Sequence, residues 1–181
     1  MINDKITHSS SENCDMDKEF DKINYRKNFI INLLKGKKVN PLIDFENCNT
    51  EALENSKKDT DVREVLNKMY VDFYKFIHSV KSKLTYIKSG STGHTFKATS
   101  TNTDNDFNYA IKVVAMNGTY GDVNNIKRPE NAELMMLRVL SYFVINNQTP
   151  HIVLPIGIFN TDIKPFIDIA KDKIINNKKY D

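Results

Sequence analysis

A lysine sits in the middle of an apolar β-run, and few folds tolerate that without giving it a partner. Tyr109-Ala110-Ile111-Lys112-Val113-Val114 lies within a stretch, Phe107 to Ala115, that reads as a buried strand. β-branched and aromatic residues of this kind suit a pleated, packed surface. Desolvating an ammonium is expensive, so lysine is rarely buried unpaired. Two readings stand. Lys112 can snorkel to a solvent face along its alkyl stem. Alternatively, it can point into a cleft and meet a phosphate.

Two neighbouring features bear on that choice. Upstream, Leu84 to Gly90 and Phe96 to Thr101 read as strands, with Gly90 and Gly93 between them. Glycines let a backbone approach a ligand closely, and their N–H groups can turn inward to cradle phosphate oxygens. Alone, Gly-x-x-Gly between strands marks only a hairpin. Downstream, a Gly- and Asn-containing loop, Asn117 to Asn125, leads to Pro129 at a first helical position. Glu130 to Val144 then reads as a helix with Ala132, Met135, Met136, Val139, Leu140 and Phe143 on its apolar side. Glu133 has Met136, Leu137 and Leu140 at +3, +4 and +7, which sets a carboxylate beside a stripe that faces the sheet. Such a Glu could pair with a strand lysine, although a single helix Glu commonly lies on a solvated face.

Taken in order, these features resemble the N-terminal lobe of a eukaryotic-type serine/threonine protein kinase. More closely, they resemble the divergent kinases of giant DNA viruses of amoebae. The family pattern is G-x-G-x-x-G-x-V, then V-A-I-K, then a helix Glu. Lys88 stands at the first Gly, Gly90 and Gly93 match the second and third, and Thr95 replaces Val. Tyr109-Ala110-Ile111-Lys112 matches V-A-I-K except at Tyr109, and the spacing from Gly93 to Lys112 is slightly long. His151 to Phe159 looks like the lobe's fourth strand. The resemblance covers Leu84 to Phe159.

The resemblance implies an antiparallel sheet with one αC-type helix; with the α-helical N-terminal extension that apolar spacing gives ahead of it, the expected fold class is α+β. It implies ATP as ligand, with magnesium only at a complete site. Gly90 and Gly93 would cover the phosphates, within a loop that also contains Lys88, Ser89, Ser91, Thr92, His94 and Thr95. Lys112 would hold the α and β phosphates, Glu133 would orient Lys112, and Ile87 and Ala110 would touch adenine. H-R-D-x-x-x-x-N and D-F-G do not occur after Lys112. Asp44-Phe45-Glu46, Asp72-Phe73-Tyr74 and Asp106-Phe107-Asn108 precede it and are decoys. No catalytic or metal-binding residue is therefore expected in these residues. The expectation is an ATP-binding lobe, a fragment or truncated product inactive alone, whose full-length parent would phosphorylate a protein substrate. The alternative is a catalytically dead, kinase-like interaction module. A plain α+β domain with an accidental Gly–Lys–Glu order is the third reading.

The remaining chain divides into a disordered polar tail at 1–17 and a helical extension with a linker at 18–83. The lobe-like region follows at 84–160, and then an amphipathic tail segment at 161–181. Within these, Lys18 to Lys35 reads as a helix stopped by Gly36, and Asp61 to Lys83 as a long helix. Its apolar stripe is Val62, Val65, Leu66, Met69, Phe73, Phe76, Ile77 and Val80. Ile163 to Ile175 has helical spacing. The length, 181 residues, and the 40% hydrophobic share suffice for one core. A net charge of +3, with no basic stripe, argues against nucleic acid. No apolar run approaches a membrane span. Cys14 and Cys48 make neither a disulfide framework nor a zinc site, which leaves an intracellular setting as the expectation; the viral resemblance would make that the host cytoplasm or the virion. His94 and His151 have no third ligand at metal spacing.

Overall fold

The computed structural model describes residues 11–43, 45, 66–100, 108–116 and 118–169. The turn around Asp104, the positions Val62 and Val65, and the chain from Ala170 onward lie outside the described residues.

Helix α1 spans Ser11–Leu34, so helix already occupies residues 11–17, ahead of the expected start at Lys18. It ends at Gly36, whose φ of +71° is the left-handed turn that glycine adopts without strain. Ile23 and Ile30 are buried against Val144 and Leu154. Arg26 anchors the same helix by donating to the carbonyls of Pro150 (2.7 Å) and Ile152 (2.6 Å).

The expected helix over Asp61 to Lys83 is not formed among the described residues. Helix α2 covers only Phe73–Ser79, and residues 67–72 lie in no helix. Asp72 begins α2 as an N-cap, accepting from the Lys75 N–H at 3.1 Å. Lys81, at φ +48°, turns the chain into the sheet. The apolar positions that suggested one stripe serve three separate clusters. Leu66 packs with Leu42 and Ile158. Phe73 joins Phe96 and Phe166. Phe76 and Val80 join Val39. Burial in different places overrides a helical period.

Strands β1 (Ser82–Ser89), β2 (Gly93–Ser100) and β3 (Asn108–Val114) form an antiparallel sheet in the order β1-β2-β3. Directly paired residues share a face. Register therefore puts Leu84, Ala98 and Tyr109 on one face, with Tyr86, Phe96 and Ile111 beside them. Phe73 and Phe166 cover that face. Thr85, Lys97 and Ala110 lie on the other, with Lys88, Thr95 and Lys112. This second face is largely open to solvent.

Helix α3, Pro129–Ile145, forms where the Pro-led pattern expects it. Its Val144 packs on the α1 core, and Leu134 and Met135 pack on Leu42, Leu66 and Ile158. Helix α4, Lys164–Ile169, inserts Phe166 against the sheet. The expected strand His151 to Phe159 joins no sheet. Its described β-pairing is a single antiparallel bridge, Ile158 to Asn40, followed by a parallel bridge from Asn160 to Tyr70 just beyond it. Pro155 has no N–H for a ladder, and Leu154 and Pro155 are buried instead. The architecture is α+β, with the expected antiparallel sheet and N-terminal helix.

Candidate functional site

The open sheet face and α3 meet at two side chains. Lys112 Nζ lies 2.5 Å from Glu133 Oε2. Lys112 projects from β3 on the face that carries Thr95 and Ala110, and Glu133 reaches it from the first turns of α3. The lysine lies on the solvent face, as the first reading of Lys112 has it, and the partner there is Glu133, the pairing that the helix spacing allowed. The side chains are 40% and 50% exposed. A pair so accessible is screened by water and adds about 0–1 kcal/mol to stability. The fold gains little from it, while the ammonium is held in one direction with solvent beside it.

The hairpin above this pair is tightly built. β1 carries an irregularity between Tyr86 and Lys88, where Ile87 falls out of register and is half exposed. Gly90 N–H donates to the Gly93 carbonyl at 2.7 Å, closing the turn. That amide thus points across the hairpin rather than inward toward a ligand. Gly93 has a structural reason of its own: a Cβ there would lie 2.1 Å from the Val113 carbonyl oxygen. Gly90, Ser91 and Thr92 form an exposed tip.

The expected site residues are thus divided. Lys88, Thr95, Ala110 and Lys112 share the open face, with Glu133 beside them. Ser89 and His94 pair with each other and, with Val113, belong to the opposite face. His94 is buried, and its Nδ1 lies 2.6 Å from Ser89 Oγ, which lies 2.6 Å from Tyr86 OH. This hydrogen-bonded chain stiffens the hairpin from behind.

A polar cluster at the start of α3 escaped the sequence reading. Arg128, at the N-cap, is 1% exposed. Its guanidinium donates to the carbonyls of Asp122 and Gly121, both at 2.9 Å, and pairs with Glu130 at 3.2 Å. Asn131, fully buried, donates to the carbonyls of Val123 (3.0 Å) and Asn125 (2.8 Å). Lys68 Nζ donates to Asn131 Oδ1 at 2.5 Å and to the Val123 carbonyl at 3.2 Å. Burial pulls the Lys68 ammonium below its usual 10.5, an effect that Glu130 and Asp122 oppose and Arg128 reinforces. Nothing local in the sequence distinguishes these residues from surface charges. Only Pro129 marked this place, as the start of a helix.

Among the described residues, no group of His, Cys, Asp and Glu could hold a metal ion, and no helix is long and apolar enough to cross a membrane. An open cavity lined by Asp21, Lys22, Tyr25, Arg26, Pro150 and His151 lies away from these side chains.

No family model matches the chain, and no solved structure matches it. One curated protein does. It comes from Acanthamoeba polyphaga mimivirus, is named as a candidate serine/threonine-protein kinase, and is 40% identical over 183 aligned residues. The match takes in all of this chain. The chain resembles a giant-virus kinase along its whole length. It spans 37% of that relative's length, so it corresponds to a part of such a protein. The sheet, α3 and the Lys112–Glu133 pair are consistent with the N-lobe-like portion.

Proposed function

We propose that this chain is the ATP-binding N-lobe of a serine/threonine-type protein kinase. The observation that carries the reading is the ion pair between Lys112 and Glu133, held on an open face beside the Gly90–Gly93 hairpin. The donor set suits a polyphosphate. Lys112 supplies a directed cation, Lys88 stands beside Thr95 and Lys112 in register, and Ser91 and Thr92 offer hydroxyls at the hairpin tip. Ala110 leaves room on the face for a flat base, and Ile87 offers an exposed apolar edge.

In this reading Lys112 binds the α and β phosphates and Glu133 keeps its ammonium from swinging away. The hairpin excludes water from one side. Phosphoryl transfer relies on positioning and charge neutralisation, and these residues supply the positioning half. The group that accepts the proton from a protein hydroxyl, and those that hold magnesium, would come from elsewhere in a longer protein. These 181 residues alone should bind ATP and show no turnover.

Calorimetric titration of ATP into the chain tests this. Saturable binding is expected, with Lys112→Met weakening it by about tenfold or more, since a charge-assisted contact is worth about 1.5–3 kcal/mol. The Tm should hardly change, because the pair is exposed. Equal affinity in chain and variant would overturn the assignment of Lys112, and absence of binding would overturn the nucleotide reading.

A further inference from the structure

We propose that Lys68 is a positioning residue for the Lys112–Glu133 pair, acting from outside the sheet by fixing the first turn of α3. The significance of that pair rests on the nucleotide reading, but the positioning itself does not.

Lys68 lies in the irregular segment ahead of α2, and that segment is itself tied down. Asn40 Nδ2 donates to the Asn67 carbonyl at 2.8 Å. Val71 N–H donates to the Asn160 carbonyl at 2.8 Å, and Asn160 N–H to the Met69 carbonyl at 2.9 Å. From this base the segment grips α3 at two levels. Leu66, fully buried, packs with Leu134 and Met135. The Lys68 ammonium bonds to Asn131 and to the Val123 carbonyl. Glu133 lies between these two grips in the sequence. Asn131 in turn clasps the loop before α3 through the carbonyls of Val123 and Asn125. A shift or rotation of the first turn of α3 therefore has to break the Lys68 contacts.

Stability alone does not account for an ammonium in this place. Removing a cation from water costs free energy, and an apolar side chain of similar volume often serves stability as well or better. The ammonium adds direction: two acceptors, one on the helix and one on the preceding loop, fix the helix start against a segment anchored elsewhere. Displacements on the order of 1 Å at a binding group are enough to cost large factors in function.

The test reads helix position first. Spin labels at Lys97→Cys on β2 and Val139→Cys on α3 would be placed in a Cys14→Ser, Cys48→Ser background; both sites are exposed. Double electron–electron resonance should give one narrow distance distribution. Lys68→Met should broaden or shift it, and Lys68→Arg, which keeps the donors, should restore it. An unchanged distribution in Lys68→Met would overturn the proposal, whatever happens to the Tm. If Lys68→Met fails to fold, Lys68→Ala, which removes the ammonium and its stem, is read in the same way. ATP affinity gives the second reading. Lys68→Met should weaken binding about tenfold, with no further loss from Lys68→Met in a Glu133→Gln background. Equal losses in both backgrounds would contradict action through Glu133. Should the parent chain not bind ATP, the nucleotide reading falls while the distance measurement still decides the role of Lys68.

Discussion

Gly93 is required by a strand rather than by a ligand. A methyl group at this position would press on the Val113 carbonyl oxygen at 2.1 Å, whereas at Gly90 it would meet nothing nearer than 3.8 Å. Forcing β2 and β3 apart costs about 1–3 kcal/mol in comparable overpacking. Urea denaturation should show that loss for Gly93→Ala and a change within about 0.5 kcal/mol for Gly90→Ala, as for a surface substitution. Equal effects would mean that the hairpin is not packed as described. Tyr109 gives a second residue-scale prediction. Burial raises its phenol above 10.0, and its hydroxyl donates to Ser82 Oγ at 2.9 Å. A raised folded value means that the native state holds the proton longer than the unfolded chain does. The contribution is then complete below pH 10.0 and lost as pH rises through the folded value. Stability should decline on that alkaline side, and Tyr109→Phe should flatten the decline; an identical pH profile would contradict it. At this scale the sequence was most readable where chemistry conflicts with its surroundings. Lys112 is conspicuous among valines and isoleucines, and Glu133 lies within helical reach. Lys68, Arg128 and Asn131 are ordinary surface types whose burial depends on a loop closing over them.

Elements were legible where a local signal sets them, a proline at a helix start or alternation across a hairpin. The apolar side expected of helix α3 is only partly used, since Met136, Val139 and Phe143 are exposed and the buried positions are Asn131, Ser141, Val144 and Ile145, although the helix formed where Pro129 starts it. The three strands formed as expected, since alternation across β1 to β3 faces a single core. The long helix expected over Asp61 to Lys83 failed because burial overrode its spacing. Leu66, Phe73 and Phe76 have helical spacing, but each enters a different cluster. His151 to Phe159 has the composition of a strand, yet it is held by Arg26, by burial of Leu154 and by a single bridge from Ile158 to Asn40. α4 illustrates how much one short element can matter. Phe166 is 1% exposed, with its ring 4.0 Å from that of Phe73 and 5.3 Å from that of Phe96. Phe166→Ala should cost about 3–5 kcal/mol. Loss of near-ultraviolet aromatic signal at lower urea would report it. A variant as stable as the parent would show that α4 is dispensable to the sheet.

The whole molecule places one face of a small sheet against a core and leaves the other open, with a charged helix residue reaching across to it. α1, the segment around Leu66 and the 151–160 stretch all hold α3, so the helix is positioned by parts of the chain outside the sheet. This arrangement, together with similarity to a viral kinase over the full chain, is the basis for the proposal that Lys112 and Glu133 act as one functional unit. A double-mutant cycle on ATP affinity tests that claim most directly, using Lys112→Met, Glu133→Gln and the two combined. Contacting groups couple by about 0.5–3 kcal/mol. The prediction is that Glu133→Gln weakens binding when Lys112 is present and changes nothing once Lys112 is methionine. The same loss from Glu133→Gln in both backgrounds would show that the two residues act independently, and the central claim would fail.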